Sequence, residues 1–192
     1  HKSQQVREVP NLILAKNSDL VKHLSADILW EKRAAWHQIV DRQAKELIPQ
    51  IKSILTDSKQ SPSTRITALW CLEELNAFDK SLLKSLMQSG NDDLKREAIR
   101  TLGTLKPNVD IVAELVAPYL EDKNAAVRSQ VLRTLEEIKT ASPATIALLV
   151  KACKATLPGN NTLGGSYERN FERFLARKAL ESYTTELNAF LK

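Results

Sequence analysis

Cys71, Cys153, His23 and His37 are the side chains of this 192-residue chain best suited to hold a metal or act in covalent chemistry. Their surroundings decide whether they can. Neither cysteine has a histidine beside it in a catalytic pattern, and no Gly-x-Ser-x-Gly elbow is present. Both cysteines sit in apolar helical stretches, where a free thiol behaves as a small hydrophobe, so both read as core. Two cysteines do not make a disulfide framework, and without Cys-x-x-Cys-His no c-type haem can be attached. Asp19, His23 and Asp27 follow at steps of four, which places them on one helical face, and His37 and Asp41 repeat that step. Neither set matches a two-histidine zinc motif, so both read as solvated polar faces. Gly164-Gly165-Ser166 precedes a helix and offers backbone N–H groups, but no Gly-Lys-Ser/Thr follows, so it reads as a loop with a serine cap. Asn160-Asn161-Thr162 is a formal glycosylation sequon. The sequence therefore predicts no catalytic residue, no metal ligand and no cofactor site.

Charge is the next candidate for function. The chain holds 28 Lys+Arg and 23 Asp+Glu, a net charge of +5. Residues 1–60 carry +3, residues 61–150 carry −1 and residues 151–192 carry +3. No block is basic enough to form a phosphate track, which argues against nucleic acid. Trp30, Trp36 and Trp70 have rings that can stack on bases, but at amphipathic positions they read as core. The longest apolar runs fall well short of the roughly 20 residues that span a bilayer. The polar start, HKSQQVREVP, reads as no signal peptide, and His1 in place of Met predicts a piece cut from a longer protein.

What positions all these residues is a repeat. A basic residue is followed by a small one three later and by Ile or Leu four after that. The copies are Lys32-Ala35-Ile39, Arg65-Ala68-Leu72, Lys95-Ala98-Leu102, Arg128-Val131-Leu135 and, after a longer gap, Arg173-Ala176-Leu180. Steps of three and four mark one face of a helix, and the small residue lets a neighbouring helix come close. Between these helices lie other stripes: Leu47, Ile51 and Leu55; Leu82, Leu83 and Leu86; Ile111, Leu115 and Leu120; Ile146, Leu149 and Cys153. Each repeat is thus a helix pair of about 30 residues, the length expected of a solenoid unit.

The spacing and turn signals predict helices at 18–25, 30–42, 44–56, 63–76, 78–89, 92–104, 109–121, 125–138, 144–156, 167–182 and 184–191. Pro49 falls in an opening turn, Pro118 should kink its helix near the end, and Lys106-Pro107-Asn108 should break the chain. The predicted fold is all-α, an α-solenoid of about five HEAT-like helix pairs. Residues 1–17 read as a linker from an upstream domain and 18–156 as the repeat array. Residues 157–166 form a loop, and 167–192 form capping helices of the same domain. Tyr167, Phe171, Phe174 and Leu175 are expected to make the stripe that closes the stack.

Several segments resemble a known family. They are LWEKRAAWHQIVDRQ (29–43) with Trp30, Ala35 and Arg42, TRITALWCLEELNAFD (64–79), DDLKREAIRTLGTL (92–105), NAAVRSQVLRTLEEI (124–138) and YERNFERFLARKALE (167–181). Together they resemble the HEAT-repeat region of bacterial membrane-bound dehydrogenases, with Trp36, His37 and Ile39 departing from its pattern. The resemblance implies a non-catalytic, extracytoplasmic connector lying between a β-propeller and a cytochrome c domain, with one of these or an unknown protein as partner. In HEAT repeats the signature helix lines the concave side. On that ground Arg65, Trp70, Arg96, Arg100, Arg128 and Arg133 are the candidate interaction residues. Arg65, Lys95 and Arg128 also have an architectural reading, in which they bond to neighbouring turns and carboxylates, such as Asp92 or Asp122, and hold repeats in register. The leading expectation is a protein-interaction scaffold; the alternative is a nucleic-acid-binding module of the HEAT-like glycosylase type.

Overall fold

The computed structural model describes residues 8–78, 80–104, 109–138, 140–154 and 165–192, excepting the side chains of 109, 110 and 165–168. Among the described residues all regular structure is helical. The chain divides into two compact units, His1–Ala77 and Phe78–Lys192, with the boundary inside the expected array.

In the first unit, α1 (Asn17–His23) packs on α2 (Leu29–Asp41), and α3 (Ile48–Thr56) packs on α4 (Pro62–Glu74). The two signature helices, α2 and α4, also pack on each other. Pro49 lies in the first turn of α3, where its missing N–H costs nothing. Ser61 starts α4 by accepting a hydrogen bond from the Thr64 N–H at 3.1 Å, with Pro62 next in line. Both signature helices end in the same device. Gln43 (φ 49°) and Asn76 (φ 52°) take the left-handed conformation, and the following N–H reaches back to Ile39 O at 3.0 Å and Leu72 O at 2.8 Å. This is the six-to-one bond of a Schellman ending, made here without glycine.

The second unit holds α5 (Lys80–Met87), α6 (Asp92–Thr104), α7 (Val109–Val116), α8 (Ala125–Glu137), α9 (Pro143–Ala152), α10 (Gly165–Ser182) and α11 (Thr184–Phe190). Here α6 packs on α8 and α8 on α10, while α5, α7 and α9 pack against the same set from the other layer. Pro118 does more than bend its helix. The α-helix stops at Val116 and a 3-10 turn, Ala117–Tyr119, replaces its end. Asn124 caps α8 from its side chain, accepting from the N–H groups of Ala126 at 2.9 Å and Val127 at 3.4 Å.

The repeat positions form the core of both units. The small residues Ala35, Ala68, Ala98, Val131 and Ala176 are completely buried. Ile39, Leu72, Leu102, Leu135 and Leu180, four positions on, are buried with them. The closing stripe differs from expectation. On α10 the buried side is Glu172, Leu175, Ala176, Ala179 and Leu180, whereas Phe171 and Phe174 are exposed. The repeat register of Arg173-Ala176-Leu180 dictates the orientation, so the two aromatics turn outward. The expected break at Lys106-Pro107-Asn108, residues 157–164 of the expected loop and the Tyr167 side chain lie outside the described residues.

Candidate functional site

The basic residue that opens each repeat lies one turn before the fully buried small position, close to the adjoining connection. Its contacts show what it does there. Lys32 is buried, and its Nζ donates to Thr64 Oγ1 at 3.1 Å and Ser63 Oγ at 3.4 Å, joining α2 to the first turn of α4. Arg65 Nε donates to Leu55 O at 2.8 Å, satisfying a carbonyl at the end of α3 that has no partner within its own helix. Lys95 Nζ bridges Asp92 at 3.1 Å and Asp122 at 2.8 Å and lies 5.9 Å from the centre of the Tyr119 ring. The hydrogen bond to Asp122 holds its pKa above the ordinary lysine value against the opposing effect of burial. Asp92 is held below the usual carboxylate value by hydrogen bonds from Asn124 and then Lys95.

Arg128 reaches furthest. It is buried, and its Nη1 donates to Asp122 O at 2.7 Å and Lys123 O at 3.1 Å. Its Nε and Nη2 both meet Glu172 Oε1 at 2.8 Å. Glu172 also accepts from Arg169 at 2.9 Å, and Arg169 reaches Glu121 at 3.1 Å. Lys154 closes on the same Glu121, whose pKa that contact lowers. The result is a line of alternating charge, Arg128–Glu172–Arg169–Glu121–Lys154, which ties α8, α10, the turn after α7 and the end of α9.

The other expected interaction residues are divided between the two units. In the first unit Trp70 is half-buried with its ring 5.3 Å from Trp36, and Trp36 stacks on His37 at 4.8 Å. The Trp36 Nε1 is buried without a hydrogen-bond partner. Trp30 is 45% exposed. The tryptophans therefore sit at or near the surface and not in the core, because the repeat register gives the buried positions to alanine, leucine and isoleucine. In the second unit Arg96 and Arg100 converge on the buried carboxylate of Glu97, at 3.1 and 2.9 Å, while Arg133 is exposed. Arg96 also meets Asp93 at 3.6 Å.

The expected metal-like faces change as well. α1 ends at His23, so Asp27 is not on its helical face, and His23 Nδ1 instead meets the buried Glu31 at 2.7 Å. Among the described residues no group of three or more His, Cys, Asp or Glu could hold a metal ion. Burial pushes the Cys71 thiol up to about 12, the state of a core residue with no thiolate. Cys153 is half-buried at the end of α9, and burial raises it against the opposing pull of Arg173 and Arg177. No described helix is long and apolar enough to cross a membrane.

One hub has no counterpart in the repeat reading. Arg42, at the end of α2, donates to Leu12 O, Ile13 O and Ala15 O at 3.0, 2.8 and 2.7 Å, and also to Asn17 Oδ1 and Gln38 Oε1. Residues 12–17 are thus held against α2, with Leu12 buried. The available signal was an arginine in the last turn of a helix, a position common for many reasons.

Residues 80–158, the stretch that holds α5 to α9, match the family model for HEAT repeats. No curated protein matches the chain. A chain in the structure of the complex of CpcE and CpcF of phycocyanin lyase from Nostoc sp. PCC7120 is similar, with 14% sequence identity and a TM-score of 0.41. The alignment covers 97% of this chain and 98% of that one.

Proposed function

We propose that this chain is a non-catalytic protein-interaction scaffold. The observation that carries the reading is the fate of the signature cations. Lys32, Arg65, Lys95 and Arg128 each bond a neighbouring turn or helix, which fixes the register of the helix pairs. Helices held in register present ordered side-chain rows on their outer faces, and repeat proteins use such rows to bind partners. The HEAT-repeat match over residues 80–158 supports the same reading, since such repeats commonly mediate protein interactions.

The segments that resemble the dehydrogenase region support a finer proposal: the module sits outside the cytoplasm, beside an electron-transfer domain of its parent protein. A direct test uses the purified chain with a range of sugars and an artificial electron acceptor. The expected result is no turnover. Oxidation above the rate of a heat-denatured control would overturn the scaffold reading. A DNA gel shift that weakens with salt and disappears in Arg96→Ala/Arg100→Ala would replace it with the nucleic-acid reading.

A further inference from the structure

We propose that the outer face of α10 docks an acidic amphipathic segment of a partner protein, with Phe171 and Phe174 as apolar anchors and Arg173 and Arg177 as its charge-pairing groups. The proposal rests on the protein-interaction reading and names the surface and the partner's chemistry.

Phe171 and Phe174 are 39% and 59% exposed. Their ring centroids lie 6.4 Å apart at 22°, so they form one contiguous plate. A single exposed aromatic is ordinary, but two stacked on one turn make a patch of the kind that marks a binding face. The opposite side of the same helix is already buried through Leu175, Ala176, Ala179 and Leu180. The exposed plate is thus fixed in orientation by the repeat and is free to take a second layer.

Charge supplies the partner's sign. Arg173 is the fifth copy of the signature cation, yet it differs from the other four. Among the described residues neither Arg173 nor Arg177 has an ion-pair or hydrogen-bond partner, whereas Lys178 beside them pairs with Glu136 at 2.7 Å. Steps of three and four along the helix put Arg173, Phe174, Arg177 and Lys178 on adjoining faces. Two unpaired guanidiniums flanking an aromatic plate favour carboxylates placed around an apolar stripe, the pattern of an acidic amphipathic helix. Two arginines are too few to track a nucleic-acid backbone, and one pair of rings is too small for a stable hold on a bilayer.

The test is selection of 16-residue peptides from a random phage-displayed library against the full chain. It is followed by titration of the enriched peptides against wild type, Phe171→Ala/Phe174→Ala, Arg173→Glu/Arg177→Glu and Arg133→Glu. Circular dichroism and urea midpoints check that each variant folds, which four exposed positions and the half-buried Arg173 should allow. The proposal expects enriched peptides that are acidic and amphipathic, with at least tenfold weaker binding to both α10 variants and unchanged binding to Arg133→Glu. Neutral or basic peptides would overturn it. Acidic peptides indifferent to the α10 variants but lost on Arg133→Glu would overturn it while leaving the interaction reading in place. No enrichment at all would sink both. Phosphatidylserine vesicles and a single-stranded oligonucleotide form the remaining arms. Binding to either that depends on Arg173 and Arg177, with no acidic peptide bound, would also overturn the proposal.

Discussion

Arg128 and Glu172 meet at 2.8 Å although they stand 44 positions apart in sequence, and both side chains are less than a tenth exposed. The pair fastens α10 to α8, and the same guanidinium also closes the turn before α8. A buried pair adds little over well-packed apolar residues, but breaking it leaves the buried Glu172 carboxylate to Arg169, which is shared with Glu121. Arg128→Met is therefore expected to lower stability by about 3 kcal/mol. Arg128→Met combined with Glu172→Met should recover most of that loss. Urea unfolding of the three proteins measures the difference. A double variant as unstable as the single one would show that the lost turn contacts, and not the under-compensated carboxylate, set the cost.

Arg42 does for the first unit what Arg128 does for the second, with three main-chain carbonyls and the side chains of Asn17 and Gln38 as acceptors and no carboxylate among them. Removing it leaves the carbonyls of Leu12, Ile13 and Ala15 without this donor. Arg42→Ala is expected to cost about 2 kcal/mol, in the range of hydrogen bonds to a charged group. Its local signature is faster amide exchange at residues 12–17, while α4 stays protected. Uniform loss of protection across the first unit would mean that the segment and the helices unfold together.

The helix pairs were legible because their cause is local and repeated. A small residue at Ala35, Ala68, Ala98, Val131 and Ala176 is both a pattern in the sequence and a point of complete burial. Helix ends were legible where a side chain announces them, as at Ser61 and Asn124. They were less so where geometry alone decides. Nothing in the type of Gln43 shows that its backbone turns left-handed, and Asn76 carries only the weak signal that asparagine tolerates this conformation. The aromatics misled for a related reason. Hydrophobicity alone suggests that Trp30, Phe171 and Phe174 are buried, but the repeat register had already filled the core side of their helices. Asp92 and Asp122, the carboxylates on Lys95, were legible because they lie at or just before the starts of α6 and α8, whereas Glu172, the partner of Arg128, was hidden because it comes from α10, 44 positions along the chain.

The left-handed residues give a separate test. A non-glycine residue in this region pays a steric penalty that glycine avoids. Gln43→Gly and Asn76→Gly remove it at the endings of α2 and α4 without touching the closing bonds to Ile39 and Leu72. The larger conformational freedom of glycine in the unfolded chain offsets part of the gain. Each change is expected to stabilise by up to about 1 kcal/mol, with asparagine gaining less because it tolerates this conformation better. Thermal midpoints that fall in both variants would mean the side chains contribute more than their backbones lose.

Tyr183 links the last repeat to the end of α8. Its hydroxyl lies 2.8 Å from Leu135 O and 3.0 Å from Glu136 O and also meets Ile138 O, so its single proton serves carbonyls that the helix end leaves open. Burial first, then the carboxylates of Glu136 and Glu186, push the phenol up to about 12, above its ordinary value. A folded-state pKa above the unfolded one means that the folded chain favours the protonated phenol. That contribution is complete below the unfolded value and is lost as pH rises through the folded one. Tyr183→Phe should cost about 1 kcal/mol near neutrality, the ordinary contribution of a buried hydrogen bond. The gap between the two proteins should narrow between pH 10 and 12, where only the wild type loses this proton. Urea midpoints measured on both chains at pH 7, 10 and 11 follow that gap directly, because every other titrating group is common to them. A gap that stays constant to pH 11 would show that the hydroxyl is not the proton donor the carbonyls require.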